Sequence, residues 1–207
     1  MKWFDKTDRA LRSITRVAGL NLTWLLFTAL GLGVLGVFPA TMAMFYVARH
    51  WVTGEQDVPL WHTFQSRFRA SFWRANLGGW LVVGCCGLLY LNFRIIVAAE
   101  GAVPLVIVLS FLLILALFAM VVSALLPVAA HFDEPPLALL KKALFFALGR
   151  PHIAVLFPLT IWAVAWLSMA LPAFFLFFSG SVTACVLMWL FTCSLRSLTP
   201  VQASTSN

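Results

Sequence analysis

Gly36-Val37-Phe38-Pro39-Ala40-Thr41 breaks the first apolar run of this chain. A polar turn over 52–59 follows, then Trp61-His62-Thr63-Phe64-Gln65-Ser66-Arg67-Phe68-Arg69-Ala70-Ser71-Phe72-Trp73-Arg74, a stretch crowded with aromatics and arginines. The apolar run extends from Leu20 to Val47, which is long for one membrane helix. Gly31, Gly33, Gly36 and Pro39 cluster in its middle. Proline lacks a backbone donor and clashes with the turn before it, so it starts a helix better than it continues one. The run is either one kinked helix or a hairpin. In the hairpin, a helix over 20–35 turns near 36–38 and a second returns from Pro39.

Charge decides between them. Further spans are expected over 77–97, 103–130, 153–170 and 182–195. The loops at 49–74 and 131–151 then share a side with the C-terminus. They hold Arg49, Arg67, Arg69, Arg74, Lys141, Lys142 and Arg150, and Arg196 lies at the C-terminal end. The opposite loops hold only Arg94. A single crossing puts Lys2, Lys6, Arg9, Arg12 and Arg16 outside, for eight cations against six. A hairpin puts thirteen inside against one. Cytoplasmic loops carry the excess of lysine and arginine, which selects the hairpin. The expectation is an all-α membrane bundle of about six embedded helices with both termini cytoplasmic. A re-entrant first pair is also allowed, because its pieces are short.

Composition supports the same class. Apolar residues make up 62% and charged residues 10%, against about 25% charged in soluble domains. The 207 residues suffice for one membrane domain and no separate soluble one. The net charge of +7 flanks apolar runs, which favours orientation and anionic headgroups over nucleic acid as its reason. The organisation reads as an interfacial helix over 1–18, a broken hairpin over 20–51, an elbow with two spans over 61–130, a second elbow with two spans over 136–196, and a flexible tail over 197–207. Phe4, Leu11, Ile14 and Ala18 line one face of the first segment. An internal repeat is expected at an offset of 76, which sets Phe64 on Leu140, Phe68 on Leu144, Phe72 on Leu148 and Arg74 on Arg150.

The elbow carries the candidate interface. At about 100° per residue, Trp61, Phe64, Phe68 and Phe72 form one stripe. Arg67 and Arg74 flank it on one side and Arg69 on the other. Aromatics entering the acyl boundary while arginines reach phosphates describe an interfacial anchor. A docking surface for a cytoplasmic partner is the sharper alternative.

These stretches resemble the YesL family of bacterial integral membrane proteins, domain-of-unknown-function family 624. The likeness runs through Asn21-Leu22-Thr23-Trp24, Gly36-Val37-Phe38-Pro39-Ala40-Thr41, Arg49-His50-Trp51 with Gly54-Glu55, Thr63-Phe64 and Arg74-Ala75-Asn76. Asn21, Trp24, Gly36, Pro39, Ala40, Thr41, Trp51 and Gly54 are thus fold markers. Thr23 departs from an apolar position, and the 31–33 stretch lacks the proline many members carry there. The resemblance implies a multi-span bacterial membrane protein, often encoded beside carbohydrate uptake systems of the ABC type. It implies no reaction.

Catalytic chemistry finds little support. Glu55/Asp57 and Asp133/Glu134 are the paired carboxylates, and both lie in loops. His50, His62, His131 and His152 all map to the cytoplasmic side. His131-Phe132-Asp133-Glu134 lacks the spacing of a helical zinc motif, so a solvated loop is the plainer reading and no metal or cofactor is expected. Cys85, Cys86, Cys185 and Cys193 sit in apolar runs as small fillers. No ionisable group lies mid-span, as a transporter would ordinarily place one. Asn92, Arg94 and Glu100 are candidates for an outer vestibule. Three functions remain: an accessory or assembly component of a sugar-uptake system or other membrane complex, with transporter subunits or further copies as partners; an autonomous solute transporter or channel; and a membrane enzyme, which requires His131, Asp133 and Glu134 to meet His50 or His62. The first is preferred, and the chain is read as no enzyme.

Overall fold

The computed structural model describes the backbone over residues 2–55, 58–99 and 104–196, and side chains from residue 11 within those segments. The tail at 197–207, Asp57 and Glu100 lie outside the residues so described, as does the side chain of Phe4. Nine helices and no strand occur among the described residues: α1 (Lys2–Leu30), α2 (Val37–Thr53), α3 (Leu60–Ala98), α4 (Leu105–His131), α5 (Pro136–Gly149), α6 (Pro151–Ala154), α7 (Leu156–Ala170), α8 (Pro172–Phe177) and α9 (Ser179–Arg196). Five stretches are long and apolar enough to cross a membrane: Leu11–Leu30, Leu60–Ala98, Leu105–His131, Pro151–Ala170 and Ser179–Arg196. The chain is a helical membrane protein.

The expected hairpin is present, and its turn lies at 31–36, one step before Pro39. Thr28 O accepts from Gly33 N at 2.8 Å and Ala29 O from Leu32 N at 3.1 Å, the paired bonds that close a helix with a left-handed residue. Leu32 holds that position with φ 61°. A side chain there costs about 1–2 kcal/mol, and Leu32 is 81% exposed, so it gains no packing in return. Leu32→Gly is therefore expected to raise stability by about 1 kcal/mol, measured as a higher melting temperature in detergent. A fall in melting temperature would refute this account of the turn. Pro39 sits in the first turn of α2, where its missing N–H breaks no bond. The hairpin is stitched by Trp24, whose Nε1 donates to Thr41 Oγ1 at 3.1 Å while Thr41 donates to Val37 O at 2.7 Å.

α2 is the central element, with α1, α3, α4 and α9 packed around it. Its Pro39, Ala40, Ala43, Met44, Phe45, Val47 and Ala48 are buried, though at 17 residues it is shorter than the spans around it. Two boundaries differ from expectation. No Pro or Gly-rich break separates the 1–18 segment from the first span, and α1 runs through both as one helix. The first elbow likewise continues into its span as the single 39-residue helix α3.

The second elbow breaks instead. At the offset of 76, Ala75 falls on Pro151. Arg150, restricted by the proline after it, takes φ −137° and ψ 60° and ends α5. Arg74 and Arg150, which the offset of 76 pairs, make similar contacts. Arg74 Nη2 donates to Glu134 O, just beyond the second span of its unit, at 2.7 Å. Arg150 Nη1 donates to Ser194 O, at the end of the second span of its own unit, at 2.7 Å. The unbroken α3 also has a consequence for packing. It is roughly 58 Å long, about twice the thickness of a hydrocarbon core. Its distal half and the start of α4 leave the bundle as an arm that touches the rest little.

Candidate functional site

Two ends can be distinguished: an elbow end, holding the start of α3 and the connector between α4 and α5, and a far end, holding the turn at 31–36. The middle of the elbow's aromatic stripe faces a neighbouring helix rather than the surface. Phe64 is wholly buried. Its ring and those of Trp61 and Phe68 lie 5.0–5.2 Å from Phe27 of α1. The interfacial or docking role expected for Phe64 is thus corrected: the stripe packs α3 onto α1. Phe72 is half-buried and Trp61 is 53% exposed, so only the ends of the stripe reach the surface. The reason is physical. An aromatic stripe at helical spacing serves a neighbouring helix as well as it serves acyl chains, and Phe27 stands where that neighbour passes.

The arginines separate in the same way. Arg69 is exposed and has no ion pair among the described residues. Arg67 lies over the Tyr46 ring at 3.9 Å and faces Asp133 at 3.9 Å. Arg74 approaches Asp133 at 3.8 Å. Lys142 pairs with Glu134 at 2.6 Å and caps the Phe132 ring at 3.8 Å. Arg49 donates to Ala130 O at 3.3 Å. Cations expected to meet headgroups therefore hold the 130–134 connector against α2, α3 and α5.

A cleft of about 980 Å³ opens beside that connector. α2 supplies Tyr46 and His50, the following turn Glu55 and Pro59, α3 Thr63, Ser66, Arg67 and Ala70, and the connector Asp133. Gly54 shapes the mouth. Its φ of 104° closes α2, with Glu55 N bonded to His50 O at 2.9 Å. The same turn returns Glu55 to His50, whose Nδ1 lies 2.5 Å from Oε2. The cleft thus unites His50 with Asp133, as the enzyme reading requires, but it does not gather the rest. His131 packs its ring on Phe132 and Phe191 with Nδ1 buried and unpartnered. Glu134 is held by Lys142, and His62 is exposed. No group of three or more His, Cys, Asp or Glu that could hold a metal occurs among the described residues.

A second polar site lies at the far end, where the sequence singles out Asn21 as a fold marker with no role attached. Asn21 is wholly buried. Its Nδ2 donates to Phe175 O at 3.2 Å and Leu176 O at 2.7 Å, and its Oδ1 accepts from Gly180 N at 2.9 Å and Ser181 N at 3.2 Å. One amide therefore caps the end of α8 and the start of α9, satisfying backbone groups that a helix break leaves open. The expected outer vestibule is partly described: Arg94 donates to Tyr90 at 3.1 Å, and Asn92 is exposed.

Residues 17–93 match the family described as "Protein of unknown function, DUF624". The chain is 36% identical over 185 residues to YesL, an uncharacterized protein of Bacillus subtilis (strain 168), covering 89% of this chain and 87% of the relative. It is 33% identical over 174 residues to YteU of the same organism, covering 82% and 76%. Against YesV, also uncharacterized, identity is 27% over 185 residues and 89% of each chain. No solved structure matches. The matched segment holds the hairpin with its Trp24–Thr41 stitch, the Gly54 cap and the elbow, and the chain belongs to the DUF624, or YesL, family.

Proposed function

We propose that this chain is an accessory or assembly component of a membrane complex, in the first instance a carbohydrate uptake system of the ABC type, and that it carries out no catalysis. The observation that supports this is the α3–α4 arm. Leu77, Leu81, Leu88, Leu91 and Ile95 of α3, and Leu105, Leu109 and Leu113 of α4, are all more than half exposed. Gly78, Gly84 and Gly87 have open space where a side chain would stand. Small residues on an otherwise apolar helix allow close approach of another transmembrane helix. The bundle offers less to a solute. No acidic or basic side chain lies mid-span among the described residues. The cavity between α2, α7 and α9 holds about 480 Å³ and is mostly apolar, and the hydroxyls of Thr41, Ser168 and Thr183 donate to their own helices. The carbohydrate link rests on the family's association with such uptake systems.

The cations gathered at the elbow end support a cytoplasmic placing of that end and of both termini, in a bacterial plasma membrane. The test is co-purification in mild detergent at native expression. Gly84→Leu with Gly87→Leu is expected to lower recovery of the uptake system's membrane subunits by about tenfold, since steric overlap at a close helix contact costs about 1–3 kcal/mol. Equal recovery with the double variant would remove the arm from the reading. Sugar uptake by the pure protein in liposomes would replace the reading with an autonomous transporter.

A further inference from the structure

We propose that the cleft at the elbow end binds the headgroup of an aminophospholipid, with the lipid phosphate on Arg67 and its primary ammonium on Asp133 and Glu55. Arg67 is set up for an oxyanion. Its side chain is 30% exposed, its guanidinium carbon lies over the Tyr46 ring at 3.9 Å, and it makes no hydrogen bond among the described residues. At 3.9 Å from Asp133 it is near that carboxylate without being hydrogen-bonded to it. A guanidinium stacked on an aromatic ring with free N–H groups is a fork matched to phosphate.

The carboxylates lining the cleft, Glu55 and Asp133, face outward, and Asp133 also lies 3.8 Å from Arg74 at the rim. Side-chain exposure is 76% at Asp133 and 67% at Glu55, against 21% at His50. In a chain of net charge +7, a cleft that presents carboxylates outward and one guanidinium inward suits a ligand carrying both charges. A purely anionic lipid would set its second anionic or polar group against Asp133 and Glu55. A choline headgroup offers no N–H donor to either. The hydroxyl of Thr63 also lines the cleft and makes no hydrogen bond among the described residues.

The lipid source follows from position. Thr63, Ser66, Arg67 and Ala70 lie on the helix that becomes the exposed apolar arm from Leu77 onward. Trp61 and Trp73 of the same helix are 53% and 82% exposed, as tryptophans at the edge of a hydrocarbon layer are. The cleft thus stands where lipid headgroups would be.

The test is native mass spectrometry of delipidated full-length protein given an equimolar mixture of phosphatidylethanolamine, phosphatidylcholine and phosphatidylglycerol with identical acyl chains. Wild type is expected to retain phosphatidylethanolamine at least about tenfold over either of the others, the lower end of one charge-assisted hydrogen bond. Glu55→Gln with Asp133→Asn is expected to equalise phosphatidylethanolamine and phosphatidylcholine. Arg67→Gln is expected to lower both together. Asp133→Asn alone, at an exposed site, keeps the test open if a double variant fails to fold, and is expected to halve the preference or more. No preference in wild type, or a preference unchanged in Asp133→Asn, would overturn the assignment. Displacement of the lipid by an equal concentration of soluble phosphoethanolamine would overturn the lipid source.

Discussion

Asn21→Leu is expected to destabilise the fold by about 2–4 kcal/mol. Four hydrogen bonds disappear together. At the roughly 0.6 kcal/mol that buried side-chain bonds average in membrane proteins, they amount to about 2 kcal/mol. The rest comes from the Gly180 and Ser181 amides and the Leu176 carbonyl left without partners beside an apolar side chain, since each orphaned group costs about 1–3 kcal/mol where it cannot relax, while Phe175 O keeps the Ser179 hydroxyl at 2.9 Å. The loss should be local. α8 and the start of α9 should loosen first, so hydrogen exchange at Gly180 and Ser181 should rise far more than exchange in α2. Asn21→Asp should fall between wild type and Asn21→Leu, because it keeps the acceptor for Gly180 and Ser181 and loses both donors. A wild-type melting temperature for Asn21→Leu would show that the amide does not hold the helix break.

Gly36→Ala should be the more severe of the changes at the hairpin. The two strands of the turn meet at Gly31 and Gly36. A methyl on Gly36 would overlap Thr28 O and stand 2.9 Å from Gly31 Cα. All of these are backbone atoms, so no side-chain rotation relieves the overlap. A cost of about 3 kcal/mol is expected, the upper range for overpacking. Gly33→Ala is the control. Its added Cβ meets nothing within 4 Å, and only its φ of 68° opposes the substitution. Its cost should stay near 1 kcal/mol. Denaturation of both variants in the same detergent measures the difference. Equal melting temperatures would contradict the close crossing at 31 and 36.

Much of the fold is legible in the sequence because membrane helices are written locally. Apolar length gives the spans, Gly and Pro give a turn, expected near 36–38 and found at 31–36, and the distribution of arginine and lysine selects the hairpin. Pro151 against Ala75 even explains why one elbow breaks and the other continues. What the sequence does not show is where a face points. Phe64 and Phe68 form a stripe whether lipid or Phe27 covers it, and nothing local distinguishes the two. The partners of Asn21 lie about 155 residues away, so an asparagine in an apolar run carries no sign of capping a distant break. The cleft is hidden likewise: Tyr46, Glu55, Arg67 and Asp133 come from four separate segments, and only the packing of α2 on α3 brings them together. The arginines read as headgroup contacts have a second use, holding the 130–134 connector in place.

The arm states the functional account most directly, and one measurement addresses it. A photo-reactive amino acid at Leu88, which is 68% exposed on α3, should be activated in living cells at native expression, beside a control at Trp162, equally exposed on α7 outside the arm. The account predicts a protein adduct at Leu88 that contains a membrane subunit of a carbohydrate uptake system, and only lipid adducts at Trp162. Lipid adducts alone at both positions would contradict it.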